Sequence, residues 1–337
     1  GFGTVGQGVF RILHDKAALL SRQLGGRQLV VVKVLVRDAA RADRVVPADC
    51  GFDAARLLTD SIDDVFAAVP PGARLDVCFE AMVGEEPAHG YLSRALREGR
   101  CRCIVTANKA MFARHGAALR ALAADLSSSS GGGERHGVGF EACVAGGVPV
   151  VKTLGNMATV QSVRRVEGIL NGTSNFILTR MRVAGASYAA ALREAQENGY
   201  AEADPHNDVS GMDAFYKIML CAEIAFGMQP PWEAVEVVGI DAITDEQHAA
   251  ARAAGKRYRH VATVERVAAE GEEGEGRIVA SVRPVAVDAA HALFSVDDVQ
   301  NAVAVHTDYL GCVTLTGPGA GMFPTASVMV EDYMTFL

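Results

Sequence analysis

The chain has 337 residues, of which 50% are hydrophobic and 21% are charged, an ordinary composition for a globular enzyme of two domains. Its formal net charge of −8 argues against nucleic acid as a partner, because phosphate backbones are bound by basic surfaces. No apolar run reaches the roughly 18 residues of a membrane-spanning helix, and no secretory signal is visible, so we expect a cytoplasmic protein that acts on a small molecule and binds no membrane.

The chain begins with a glycine-rich turn that opens a helix, Gly1-Phe2-Gly3-Thr4-Val5-Gly6. In a GxGxxG turn the first glycine permits the tight bend, the second lets the backbone approach a pyrophosphate, and the third packs the helix on a strand. The N-terminus of the helix then offers free N–H groups to the phosphates. We expect a strand before Gly1, and we expect the cofactor to contact these residues: Gly1, Phe2, Gly3, Thr4, Val5 and Gly6.

The β-branched run from Leu29 to Val36 predicts the second strand of the domain, which ends at Arg37 and Asp38. An acidic residue at this position holds the ribose hydroxyls of NAD, whereas an arginine accepts the 2′-phosphate of NADP. The sequence favours NADP through Arg37 and leaves NAD open.

Strands and helices then alternate. Residues 75–80 and 103–106 are predicted strands, and residues 88–98 and 111–126 are predicted helices. This alternation predicts an α/β fold, with a doubly wound parallel sheet of the Rossmann type over residues 1–139. Thr106 and Lys109 follow a strand at the carboxyl edge of that sheet, where α/β sites form. The Ser/Gly-rich residues 127–133 predict a loop.

The second half of the chain predicts an α+β domain over residues 140–310. It begins with a glycine-rich turn at residues 140–149 and continues with a strand at 160–170. Helices are predicted at 174–183, 188–198 and 213–226, and two strands, at 258–267 and 277–287, flank an acidic hairpin tip.

Residues 199–217 carry most of the chemistry in this half. Glu202, Asp213 and Lys217 lie in or just after a loop that runs into an apolar helix, and Asp213 and Lys217 are spaced i, i+4 on one face. An exposed pair of this kind would contribute only about 0–1 kcal/mol. A lysine on a buried helix, however, indicates a functional role, whereas His206 is expected to face solvent.

These motifs, in this order, resemble the homoserine dehydrogenase family over nearly the whole chain. The resemblance rests on six segments: Gly1 to Gly8, Thr106 to Lys109, Glu141 to Pro149, residues 171–175, residues 199–217 and residues 317–321. It implies a Rossmann domain, a middle domain for catalysis and dimerisation, and a C-terminal segment, residues 311–337, that returns to the nucleotide domain. No aspartokinase or regulatory domain is expected within these residues.

The resemblance also implies the reaction, the NAD(P)-dependent interconversion of L-homoserine and L-aspartate 4-semialdehyde in threonine, methionine and isoleucine biosynthesis. Lys217 would be the proton donor, Glu202 and Asp213 would hold the substrate ammonium, and Lys109 would lie beside substrate and cofactor. Thr106, Gly199 and Gly319 would touch the cofactor. A structural sodium ion would be held at four positions, Glu141, Val144, Gly146 and Val148.

Two alternatives stay open at this point. An aspartate-semialdehyde dehydrogenase-like enzyme would use a thiolate nucleophile, and Cys143 is its only candidate among seven cysteines that are otherwise expected to be reduced thiols. A non-catalytic NAD(P)-binding regulatory protein would have no use for Lys109 and Lys217. The apolar segments at 160–185 and 258–305 predict a homodimer or homotetramer.

Overall fold

In the computed structural model the chain folds into two compact units, described over residues 1–40, 50–70, 72–129, 135–268 and 276–337. The first unit comprises Gly1–Cys143 and Gly321–Leu337, and the second comprises Val144–Ala320. In the part of the chain so described, no helix combines the length and the hydropathy needed to cross a membrane.

The helices and strands alternate through the first unit and are mixed through the second. The helices are α1 (Thr4–Asp15), α2 (Ala17–Gln23), α3 (Ala54–Leu57), α4 (Ile62–Ala67), α5 (Ala88–Arg97), α6 (Lys109–Ser129), α7 (Val150–Ala158), α8 (Gly172–Ala184), α9 (Tyr188–Glu197), α10 (His206–Val209), α11 (Met212–Phe226), α12 (Asp245–Ala253) and α13 (Met322–Met334). The strands are β1 (Val34–Leu35), β2 (Leu58–Thr59), β3 (Leu75–Glu80), β4 (Cys101–Thr106), β5 (Gly137–Gly139), β6 (Val163–Ile169), β7 (Glu236–Val237), β8 (Arg257–Val267), β9 (Arg277–Val287), β10 (Gln300–Thr307) and β11 (Cys312–Pro318).

All strand pairs of the first unit are parallel among the described residues, as the β-α alternation predicts. β1 pairs with β2, and β3, β4 and β5 form a second sheet in that order. The predicted strand at 29–36 is too long, because only Val34 and Leu35 have strand partners. Residues 29–33 instead border a cavity of about 280 Å³, which β3 also lines.

Helix α6 corrects the predicted loop at 127–133. The helix continues through Ser129, and the Ser127, Ser128 and Ser129 hydroxyls each donate to the backbone carbonyl four residues earlier. Serine hydroxyls can make their hydrogen bonds to the backbone of the same helix in this way, so a run of serines does not have to end a helix. Residues 130–133 lie outside the described residues.

The core of the first unit joins the two ends of the chain. Val9 and Leu13 of α1 pack in one cluster with Val105 of β4 and with Met329 and Tyr333 of α13. Gly8 lets the two helices approach, because a Cβ there would lie 2.8 Å from Met322 Cγ and 2.9 Å from Ala326 Cβ. The close approach therefore requires a glycine.

The second unit is built on a six-stranded mixed sheet in the order β11-β10-β6-β8-β9-β7. The predicted strands at 160–170, 258–267 and 277–287 correspond to β6, β8 and β9. Strand β11 differs from expectation. Residues 312–318 were expected in the segment that returns to the nucleotide domain, but they pair along β10 at the sheet edge. The return to the first unit begins at Gly321.

The helices of the second unit begin and end where the side chains favour it. Asn171 accepts a hydrogen bond from Ser174 N at the start of α8, and Gly185 ends that helix with a positive φ of 64°, a conformation natural for glycine. Ser187 caps α9 in the same manner as Asn171 caps α8. These helices agree with the predicted segments at 174–183 and 188–198.

Candidate active site

The glycine turn leads directly into α1, with Gly3 as the N-cap residue. A Cβ at Gly6 would overlap the carbonyl oxygen of Gly1, and a Cβ at Gly1 would lie 2.6 Å from Ala81 O. At Gly3, in contrast, a Cβ would meet nothing within 4 Å. Two glycines therefore allow the chain to pack, and the third leaves open space before the helix N-terminus, where a phosphate group is stabilised by the helix dipole.

Sequence reasoning missed Glu80, which ends strand β3 in the same unit. Glu80 is buried and accepts hydrogen bonds from the Thr106 hydroxyl and from Met82 N, the latter at 2.6 Å. Burial raises the pKa of this carboxyl above its ordinary value of 4.5, against the lowering effect of the Thr106 hydrogen bond. The hydroxyl of Thr106 is thus committed to a protein partner, and its predicted contact with the cofactor stays a prediction.

Lys109 begins helix α6, two residues before the buried Met111. Asn108, just before it, accepts from Met111 N at 3.2 Å and donates from Nδ2 to Gly84 O at 2.7 Å. The helix start that presents the lysine is therefore held by a capping asparagine. Arg37 follows β1 and is exposed, as a residue that meets a ligand from solvent would be.

Cys143 does not have the character of a nucleophile. Its side chain is buried, and its thiol donates to Thr106 O at 3.4 Å. Burial raises the pKa of this thiol well above 9.0, whereas catalytic cysteines need a lowered pKa and access to substrate. The structure therefore contradicts the thiolate alternative.

In the second unit, Lys217 and Asp213 form a buried ion pair on α11. Lys217 Nζ lies 2.6 Å from Asp213 Oδ2, and the two side chains are only 10% and 8% exposed. The i, i+4 spacing predicted this pairing, and the apolar helix buries it. Replacing a whole buried pair by apolar residues of similar volume is often neutral or stabilising, so the presence of this pair indicates a role other than stability.

A backbone carbonyl completes the surroundings of the lysine. Leu170 O, at the end of β6, accepts from Lys217 Nζ at 2.6 Å and from Asn301 Nδ2 at 3.0 Å. Asn301 is 1% exposed and packs against Gly319, where any Cβ would overlap its amide group. Gly319, predicted to touch cofactor, thus makes room for a side chain that holds the carbonyl partner of Lys217.

Asn171 and Asp208 also belong to this cluster, although the sequence analysis gave neither residue a role of its own. Asn171 Nδ2 donates to Asp208 Oδ1 at 2.8 Å and to Asp213 Oδ2 at 3.0 Å. Asp208 lies in the acidic stretch that sequence reasoning had already marked. The contribution of Asn171 depends on a contact across 42 residues that no local pattern reveals.

Glu202 and Gly199 lie in the loop before this cluster. Glu202 is exposed, and its backbone carbonyl accepts from Gln196 Nε2 at 3.2 Å. Gly199 follows α9 with a positive φ of 72°. His206 is exposed, as predicted. The roles of Glu202 and Gly199 stay predictions.

Comparison with known proteins identifies the family. A family model described as "Homoserine dehydrogenase, NAD binding domain" matches residues 1–128, and one described as "Homoserine dehydrogenase" matches residues 149–334. The nucleotide-binding unit and the buried lysine therefore belong to a nicotinamide-dependent oxidoreductase.

Relatives and solved structures agree. Homoserine dehydrogenase of Lactococcus lactis is 35% identical over 336 residues, covering 98% of this chain and 72% of its own length. The crystal structure of a homoserine dehydrogenase from Thiobacillus denitrificans superposes with a TM-score of 0.84 at 34% identity, covering 100% of this chain and 71% of its own. A hyperthermophilic archaeal homoserine dehydrogenase in complex with NADPH gives a TM-score of 0.74 at 27% identity, with 99% and 95% covered. The chain belongs to the homoserine dehydrogenase family, whose reaction interconverts L-homoserine and L-aspartate 4-semialdehyde.

Proposed function

We propose that Lys217 is the proton donor of this reaction and that Asp213 orients it. One observation carries the proposal: the buried ammonium of Lys217, on a mostly apolar helix, lies 2.6 Å from both the Asp213 carboxylate and the Leu170 carbonyl. An ammonium fixed in this way can stabilise negative charge on the aldehyde oxygen and then give that oxygen a proton. General acid catalysis of this kind contributes about 10²–10⁴ in rate.

The remaining polar residues bind and orient the substrate. The substrate is an amino acid, so its ammonium requires carboxylates, which Asp213 and Glu202 supply in this proposal. Lys109 adds positive potential near the same substrate. When bound, the nicotinamide supplies or accepts the hydride, and the protein contributes position and charge.

The cofactor is proposed to be NADP, with NAD possible. The open space at Gly3, before the N-terminus of α1, fits the pyrophosphate of a dinucleotide, and the residues around it (Gly1, Phe2, Gly3, Thr4, Val5 and Gly6) would hold it. The archaeal relative was solved with NADPH. Arg37 would pair with the 2′-phosphate, since guanidinium groups bind phosphate bidentately.

The experiment is homoserine oxidation by the wild-type protein, followed by nicotinamide absorbance with NAD and NADP in parallel. We expect turnover with a preference for NADP. Arg37→Ala is expected to raise the KM for NADP about 10-fold while leaving the KM for NAD unchanged, because one charge-assisted contact is lost. No turnover with either cofactor would contradict the proposal, and equal effects on both cofactors would exclude the role of Arg37.

A sodium ion is proposed to lie in the turn after Cys143. Ala145 and Gly146 both have a positive φ of 54°, and Val148 N donates to Ala145 O at 3.0 Å. The carbonyl oxygens of Glu141, just before this turn, and of Val144, Gly146 and Val148 are hard ligands suited to a hard cation. We expect the melting temperature to rise with NaCl more than with choline chloride at equal ionic strength.

The protein is further proposed to form homodimers or homotetramers and to serve threonine, methionine and isoleucine biosynthesis. Val160 and Val183, near the two ends of the apolar segment 160–185, are 75% and 61% exposed. Exposed apolar side chains of this kind support a surface that a second subunit covers. Light scattering that gives a monomer across a roughly hundredfold range of concentration would contradict this.

A further inference from the structure

Asn171 stands at a junction between the start of α8 and two carboxylates. The residue is 5% exposed, and its side chain makes three hydrogen bonds. Oδ1 accepts from Ser174 N at 2.8 Å, whereas Nδ2 donates to Asp208 Oδ1 and to Asp213 Oδ2 at 2.8 and 3.0 Å. An amide offers two N–H donors and one carbonyl, so each kind of group has a matching partner.

The orientation of this amide is determined by its neighbours. The helix N-terminus presents an N–H, which requires an acceptor, and the two carboxylates require donors. A flipped amide would place its oxygen against both carboxylates and its NH₂ against a backbone N–H. The hydrogen-bond network therefore fixes the assignment of oxygen and nitrogen.

Two carboxylates that share one amide would otherwise repel each other, because like charges a few ångströms apart interact strongly in a site with little water. The amide holds each carboxylate by a charge-assisted hydrogen bond and sets the distance between them. Asp213 Oδ2 also receives the Lys217 ammonium at 2.6 Å. The position of Asn171 therefore determines the positions of both carboxylates and, through Asp213, that of Lys217.

We propose that Asn171 is a positioning residue that sets Asp208 and Asp213 as a paired receptor for the substrate ammonium. The inference rests on the proposed function of Asp213. It accounts for an asparagine at the start of α8, where a serine would cap the helix equally well, because only the amide can donate to two carboxylates while its oxygen caps the helix.

The capping role and the positioning role can be separated. Asn171→Ser keeps an N-cap acceptor and removes both donors, and Asn171→Asp keeps the acceptor and turns the donors into a third negative group. Ser187→Ala is the matched control, because it removes the exposed N-cap of α9, which accepts from Ala190 N, without touching the cluster.

The test compares homoserine with 4-hydroxybutanoate, which lacks the amino group. For Asn171→Ser we expect kcat/KM with homoserine to fall about 10- to 100-fold, the effect of losing charge-assisted hydrogen bonds, with a smaller fall for 4-hydroxybutanoate. Discrimination between the two substrates therefore shrinks, and Asn171→Asp shrinks it further. The KM for NADP stays close to wild type in Asn171→Ser, although the loss of two hydrogen bonds lowers its melting temperature. Ser187→Ala changes kcat/KM for neither substrate.

Equal losses for both substrates would show a merely structural role and overturn the proposal, as would unchanged discrimination in Asn171→Asp. If Asn171→Asp does not fold, its melting curve shows this, and Asn171→Ser then supplies the measurement. Failure of the wild type to oxidise homoserine would instead refute the proposed function itself.

Discussion

The two units build their candidate sites in different ways. In the nucleotide unit the turn from Gly1 to Gly6 is continuous in sequence and made of backbone, and its glycines act by leaving room. In the second unit the cluster around Lys217 is made of side chains and carbonyls from three separate segments; its members are hydrogen-bonded, and all but the half-buried Asp208 are buried. Larger side chains in the glycine turn should therefore weaken cofactor binding by filling the space it needs. Variants in the Lys217 cluster should instead change the charge and the orientation of the side chains around the lysine.

The largest expected effect is at Lys217. Lys217→Met is expected to lower kcat by about 10²–10⁴, because the general acid is lost, while the Kd for NADP stays unchanged. Steady-state rates of homoserine oxidation and a fluorescence titration of NADPH measure the two quantities. Lys256→Met, at an exposed lysine, serves as the control. A rate within tenfold of wild type would move the proton donor to Lys109.

The second prediction sharpens the contrast between glycines of the same turn. Gly3→Ser is expected to weaken NADP binding about 10- to 100-fold, through loss of phosphate contacts, with nearly unchanged stability, because its Cβ enters open space. Gly6→Ser is expected to lose binding and in addition about 1–3 kcal/mol of stability, the cost of overpacking. Calorimetric titration and thermal melts separate the two. Equal melting temperatures for the two variants would contradict this reading of the turn.

The third prediction tests whether a glycine also matters in the second unit. Gly319→Ala is expected to displace the Asn301 amide from Leu170 O and to lower kcat up to about tenfold, the scale of one lost hydrogen bond. Because Gly319 is also predicted to touch cofactor, the KM for NADP is measured alongside. A change in that KM with kcat unchanged would favour the cofactor role alone.

The fourth prediction concerns Glu80 and pH. Its folded pKa lies above 4.5, so as the pH rises the Glu80 carboxyl ionises in the unfolded chain before it ionises in the folded protein. The stability that the protonated carboxyl contributes below pH 4.5 is therefore lost as the pH rises to the folded pKa. Glu80→Gln removes this loss, so its melting temperature relative to wild type should rise through that window. A pH-independent difference between the two proteins would contradict the effect.

The smallest effect is expected at Cys143. A serine can donate to Thr106 O as the thiol does, so Cys143→Ser should keep kcat within about twofold of wild type. Wild-type activity should also survive iodoacetamide, because the thiol is buried. Rapid inactivation that the serine variant escapes would reopen the thiolate alternative.

The sequence predicted those parts of the molecule that depend on neighbours along the chain. The glycine turn, the strand at 75–80 and the Asp213–Lys217 pairing all follow from spacing, and the structure confirms them. Glu80 and Asn301 could not be predicted, because their roles depend on partners far away in sequence, Thr106 and Leu170. The short β1 has the same cause, since the number of paired residues depends on the neighbouring strand rather than on β-branched composition.

The nucleotide unit is discontinuous, because α13 packs against α1 across almost the full length of the chain. Contacts so distant in sequence close a large loop, which slows their formation. During synthesis the second unit, Val144–Ala320, leaves the ribosome as one continuous stretch and can fold as a unit. The nucleotide unit can complete its core only after α13 has emerged, so α1 stays partly exposed until a partner some three hundred residues further along the chain has been made.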